Sequence, residues 1–124
     1  MKPHRIPSHA SENPRLADGI YAAMIERVIE DTYGDDQPLV QVVFWLPDEE
    51  VHLVTNFYFP TGNSWKVQRR FWVLCQIVGL EPSDLVYEPE LFEGRRLRLM
   101  TCRVDPRNSN VAWWYSDVNR FLPP

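Results

Sequence analysis

Gly19-Ile20-Tyr21-Ala22-Ala23-Met24-Ile25-Glu26-Arg27-Val28-Ile29-Glu30 is the stretch on which the fold turns. Its Ala, Met, Glu and Arg residues favour a helix, whereas Tyr, Ile and Val favour a strand. No capping box precedes it, and the two segments that follow need a sheet partner. These arguments predict a strand over 20–30. The alternative is a helix, which would turn the domain into an α+β sandwich.

The next segments read more plainly. Leu39–Leu46 (Leu-Val-Gln-Val-Val-Phe-Trp-Leu) is β-branched and aromatic, and too short for a typical helix. Pro47-Asp48-Glu49-Glu50 is turn chemistry. Val51–Phe59 is a second apolar strand that ends at Pro60, so the two should form an antiparallel hairpin. Asp31–Pro38, with Gly34, is a polar loop ahead of it. Thr61-Gly62-Asn63-Ser64 then breaks the chain and offers a cap. Val67, Phe71, Leu74, Cys75 and Val78 follow at helical spacing, opposite Lys66, Gln68, Arg69, Arg70 and Gln76, and Gly79 is a natural stop. The acidic segment 81–94, with Pro82 and Pro89, reads as a loop with a short helical turn. Arg95–Val104 alternates, with Leu97 and Leu99 on one side and Arg98 and Met100 on the other. After the turn cluster 105–110, Val111–Val118 reads as a last strand with Trp113 and Trp114 on opposite faces.

The predicted order is therefore three strands, a helix and two strands. That is the order of the OB-fold, a partly open five-stranded barrel. The expected architecture is mainly β: a five-stranded OB-like barrel over 19–124, with one helix between strands 3 and 4 plugging an open end. Another small β-barrel is the remaining alternative. Residues 1–18, with Pro3, Pro7 and Pro14 and no periodicity, are an irregular N-terminal arm.

Composition narrows the function. The chain has 124 residues, room for one domain, and its 44% hydrophobic and 24% charged residues are those of a globular protein, not of a disordered one. The longest apolar runs, Val42–Leu46 and Phe71–Cys75, are far short of the ~20 residues of a membrane helix. The N-terminal Met-Lys-Pro-His-Arg-Ile-Pro-Ser-His has no apolar stretch behind it, so a cytoplasmic location without a membrane partner is expected. Cys75 and Cys102 lie far apart in sequence and read as two free buried thiols. Five scattered glycines write neither a G-x-G-x-x-G nor a P-loop. His4, His9 and His52 are too dispersed for a zinc set. The runs Asp35-Asp36 and Asp48-Glu49-Glu50 read as solvated turn tips rather than an acid–base pair. A non-enzymatic protein without metal or cofactor is expected.

The face of strands 2 and 3 is where OB-folds bind oligonucleotides or oligosaccharides. Binding single strands there takes aromatic plates for bases and cations for phosphates. Trp45, Tyr58 and an outward Trp113 or Trp114 are the candidate plates, although core filling claims aromatics too. The net charge of −4 opposes strong general DNA binding, but its distribution is uneven. Residues 1–93 carry 7 basic and 15 acidic side chains, and residues 94–124 carry 6 basic, all Arg, and 2 acidic. Arg98, Arg103 and Arg107 could form a basic stripe, with Lys66 adding a further phosphate contact. The competing reading is a scatter of solvated arginines that balances the acidic segment 81–93. The acidic Asp35-Asp36 pair also sits in the first loop, where a binder would place cations.

Three short motifs carry a family resemblance. Asp18–Ile25 resembles the G-x-Y-x-A opening of small bacteriophage-associated proteins. Trp65, Leu74, Gly79 and Leu80 resemble their mid-chain helix ending in Gly-Leu, and Glu90–Leu97 resembles their Leu-x-Gly-Arg strand entry. The resemblance spans roughly residues 18–118 and implies an OB-like single-stranded DNA-binding protein of phage or mobile-element origin. Such proteins are encoded beside replication and recombination functions, so a replication or recombination protein is an expected partner. The rival expectation is a protein-interaction module that uses its exposed aromatics or a strand edge to hold such a partner, or a second copy of itself.

Overall fold

The computed structural model describes residues 7, 9–33, 37–58, 69–80, 89–105 and 114–124. Five strands form one antiparallel sheet: β1 (Gly19–Tyr33), β2 (Gln37–Leu46), β3 (Val51–Tyr58), β4 (Arg96–Val104) and β5 (Tyr115–Leu122). Their order across the sheet is β3-β2-β1-β4-β5. One helix, α1 (Arg69–Ile77), lies between β3 and β4 in the chain, and short 3-10 turns cover Ala10–Glu12 and Pro89–Phe92. Among the described residues the fold is thus mainly β with one helix after the third strand, as expected.

The decisive stretch is a strand, and a longer one than 20–30. Its first half pairs with β4, from Gly19 opposite Thr101 to Met24 opposite Arg96. Its second half pairs with β2, from Met24 opposite Trp45 to Tyr33 opposite Gln37. The expected loop over 31–38 is correspondingly shorter, because the ladder runs on through Thr32 and Pro38. Between the two halves the register slips at Glu26, which has no residue opposite it. This β-bulge switches which alternate positions face inward. Tyr21, Ala23 and Ile25 point to the core before it, and Val28 after it. A strand without the bulge would have aimed Arg27 inward.

The inner face is closed by α1. Phe71, Leu74 and Cys75 of its apolar stripe are buried, together with Val78 just beyond it, against Phe44, Leu53, Phe57, Leu97, Leu99 and Phe121. The phenylalanines form a continuous cluster: Phe57 meets Phe71 edge-on at 4.9 Å and stacks on Phe121 at 5.9 Å. Full burial of each such ring contributes about 1.5–3 kcal/mol. Gly79 ends the helix as the sequence predicts. Its φ of +79° allows the Leu80 N–H to reach back to the Cys75 carbonyl at 2.8 Å. Arg95 completes this end by donating from Nη1 to the Val78 carbonyl at 2.9 Å. The proposed cap at 61–64 lies outside the described residues.

Two expectations need correction. The sheet is not closed into a barrel by strand pairing, since β3 and β5 remain its two edges. The edges nevertheless meet, and the N-terminal arm lies between them. Asn13, buried to 4% exposure, donates from Nδ2 to the carbonyls of Val54 and Ser116, both at 2.9 Å. Its Oδ1 accepts from the Val54 N–H at 2.8 Å. The Ser116 hydroxyl accepts from Leu16 N–H at 2.8 Å and donates to the Leu16 carbonyl at 3.2 Å. Side chains of the arm thus take up backbone groups that a closing ladder would have used. The second correction concerns β5, expected over Val111–Val118: it spans Tyr115–Leu122, so it runs on past Val118 and Trp114 lies ahead of it, while residues 111–113 lie outside the described residues. A slip opposite Met100 and Thr101 leaves Asn119 unpaired, so Val118 and Phe121 both reach the core. That slip hides the alternation of Asp117-Val118-Asn119-Arg120 from a period-two reading.

Cys75 is buried, Cys102 is partly exposed, and neither is in a disulfide. Among the described residues, no helix is long and apolar enough to cross a membrane.

Candidate nucleic-acid interface

Leu53 and Phe57 of β3 face the core, so His52, Val54, Asn56 and Tyr58 point to the opposite, outer face. Across the hairpin, Trp45 stands opposite His52 and Gln41 opposite Asn56. Tyr58 therefore shares a face with His52, Val54 and Asn56, as the alternation predicts.

Trp45 forms one wall of an open trough of about 420 Å³. Its apolar surface comes from Ala22, Met24, Leu97 and Pro47, and its cations are Arg96 and Arg98. Both arginines are exposed. Arg98 is oriented by donation from Nε to the Pro123 carbonyl at 2.9 Å. Trp45 is half-buried, and its ring lies 4.7 Å from that of His52. His52 is 7% exposed, with Nε2 at 2.7 Å from Glu26 Oε2. The bulge thus delivers Glu26 to the residue that backs the tryptophan. An aromatic plate beside two guanidinium groups over an apolar floor can stack a base while pairing its phosphate.

Arg103 and Trp114 are elsewhere. Arg103 lies five positions along β4 from Arg98, on the other side by alternation, so these two form no common stripe. Arg103 donates to Asp105 at 2.9 Å, and its guanidinium sits 4.9 Å over the Trp114 ring. Arg15 lies over the same ring at 5.6 Å and donates to the Trp114 carbonyl at 3.1 Å. Trp114 precedes β5, contrary to its expected place within the strand, and two cations of its own chain already hold its ring. Lys66, Arg107 and Trp113 lie outside the described residues.

Tyr58 belongs to a second cavity, of about 290 Å³, at the β3–β5 seam. Arg70, Tyr115 and Asp117 share it. Burial holds the Asp117 carboxyl above the ordinary carboxylate value, against the opposing pull of the Val118 N–H, Arg70 and Thr55. Burial likewise raises the Tyr115 phenol, with Asp117 and Tyr58 adding to the shift. The Cys102 thiol is raised too, by burial first and then by Asp117 and Asp18, which keeps it a poor nucleophile.

Reading by sequence missed Arg96, although its place two residues before Arg98 on an alternating strand could have found it. It also missed Glu26, Arg70 and Asp117, whose positions depend on a bulge and on the seam. Among the described residues, no group of three potential metal ligands occurs. No protein-family model matches the chain, and neither does any of the curated proteins compared with it.

Proposed function

We propose that the protein binds single-stranded DNA without catalysing a reaction, on the outer face of an OB-like barrel left open along β3 and β5. The strand order supports the OB-like reading, because rolling up a β3-β2-β1-β4-β5 sheet brings β3 beside β5. The observation that carries the function is the Trp45 trough, where one aromatic ring and the exposed Arg96 and Arg98 share an apolar floor. The resemblance of Asp18–Ile25 and Glu90–Leu97 to small phage-associated proteins points the same way. The net charge of −4 makes the binding weak and confined to this local cationic patch.

The test is tryptophan fluorescence during titration with oligo-dT, at low salt and again at ~200 mM. Stacking on Trp45 quenches emission, and phosphate pairing weakens as counterions compete. Quenching that salt relieves is the expected result, and no response at low salt refutes the reading.

A second reading rests on α1, where Trp72 and Val73 are 42% and 43% exposed and line a shallow depression with Arg69 and Gln76. An exposed tryptophan beside a valine suits a protein partner, a replication or recombination protein or a second copy of the chain. Light scattering across a concentration series tests the second copy, with a rising mass expected.

A further inference from the structure

The seam cavity holds polar groups arranged for a ligand smaller than the trough would take. Asp117 accepts two hydrogen bonds, from the Val118 N–H at 2.7 Å and the Thr55 hydroxyl at 3.2 Å, and both go to Oδ1. Among the described residues, no hydrogen bond reaches Oδ2. Asn56 is the complementary case. Its Oδ1 accepts from Gln41 Nε2 at 3.1 Å, and among the described residues its Nδ2 donates to nothing. The cavity therefore offers one strong acceptor and one donor on neighbouring elements. Tyr58 and Tyr115 supply flat walls. Arg70 is held in place by donating to the Val118 carbonyl at 2.7 Å and by lying over Phe57 and Phe121, each at 5.6 Å. At about 290 Å³ the space falls just below the roughly 300–1,000 Å³ of sites for drug-sized ligands. That is room for a single planar ring system rather than for a whole dinucleotide.

We infer that this cavity is a subsite for one unpaired nucleobase with an exocyclic amine beside a ring acceptor, cytosine or adenine, of the strand held at Trp45. The inference rests on the single-strand reading above and adds base preference to it. Asp117 Oδ2 accepts from the amine, and Asn56 Nδ2 donates to the adjacent ring nitrogen. The base lies between Tyr58 and Tyr115, with Arg70 and His9 placed to meet its phosphate. Thymine presents a carbonyl where the amine would be and sets one acceptor against another. The path length is suitable: β3 runs six residues from His52, behind Trp45, to Tyr58, roughly 20 Å at ~3.3 Å per residue. That distance is a few nucleotides of extended strand.

The experiment compares fluorescently labelled oligo-dC and oligo-dT of equal length by anisotropy, at neutral pH and low salt, with the full chain. Oligo-dC should bind about tenfold tighter, the lower part of the range for a two-bond base contact. Asp117→Asn should abolish or invert that preference, because an amide NH2 in place of Oδ2 donates to the thymine carbonyl and no longer accepts from the cytosine amine, and Asn56→Ser should reduce it. Thermal unfolding of each variant verifies that it is folded, and either variant alone suffices. Equal binding of the two strands by the wild type, or a preference left undiminished in a folded variant, overturns the subsite but leaves the trough reading intact. Failure to bind either strand overturns both.

Discussion

Replacing Asn13 by alanine removes three hydrogen bonds at once and should open the seam between β3 and β5. The side chain is buried and serves two carbonyls, of Val54 and Ser116, and one N–H, of Val54. A hydrogen bond contributes about 1 kcal/mol net, and a buried polar group left without a partner costs about 1–3 kcal/mol. Three groups, some of which water will reach, give about 4 kcal/mol. This is a large share of the ~5–15 kcal/mol that separates folded from unfolded domains. With a urea dependence of about 2 kcal/mol per molar, the midpoint should fall by about 2 M. Asn13→Asp keeps the acceptor for Val54 N–H but sets a charged oxygen against two carbonyls, so it should be at least as damaging. Gln76→Ala, at an exposed position on α1, should stay within ~0.5 kcal/mol of wild type. Urea unfolding followed by tryptophan emission measures all three. An Asn13→Ala midpoint that matches wild type would refute the role of this side chain as the clasp of the two edges.

Trp45→Ala should weaken oligo-dT binding by about 1–3 kcal/mol, the value of one stacked base, with anisotropy as the readout. Arg98→Ala should lower the slope of log affinity against log salt by about 0.7, the contribution of one phosphate contact on a single strand. Phe71→Ala should cost about 3–5 kcal/mol in urea unfolding, because the ring is fully buried between Phe57 and Phe92. Asp117 gives a pH signature. Its folded-state carboxyl lies above the ordinary 3.8, so the folded protein holds that proton more tightly than the unfolded chain does. Stability contributed at low pH is therefore lost as pH rises from about 3.8 through the folded value. Asp117→Asn should flatten this fall, gaining on wild type as neutrality is approached, which urea midpoints over a pH series will show.

The hairpin of β2 and β3 was legible because both segments are short, apolar, and rich in β-branched and aromatic residues, and the turn between them is polar. The helix was legible because Phe71, Leu74, Cys75 and Val78 keep one face. β1 was harder for a physical reason. The bulge at Glu26 spaces its inward residues as 21, 23, 25 and 28, and the last step of three imitates a helix. The same effect at Asn119 concealed the true extent of β5. In the candidate site, Trp45 and Arg98 were found because each stands out within its own strand. Asn13 and Asp117 were not, since their partners Val54, Ser116 and Thr55 are 41 to 103 positions away and leave no local pattern. Trp114 misled the reading because nothing nearby in the sequence reveals that Arg15 covers it.

The double pairing of β1 also bears on how the chain survives its own synthesis. Its second half finds β2 within a hairpin, but its first half, Gly19–Met24, pairs with β4, which begins only at Arg96. While the intervening chain is being made, Gly19–Ala23 has no strand beside it, because the pairing with β2 starts only at Met24, and this short β-prone segment is open to pairing with other nascent chains. Tyr21 and Ala23 face inward there, and Ile20 stays 51% exposed even in the finished fold. Slow translation between Tyr58 and Arg96 should therefore favour aggregation, and a lysine at Ile20 should protect against it at little cost to the native state.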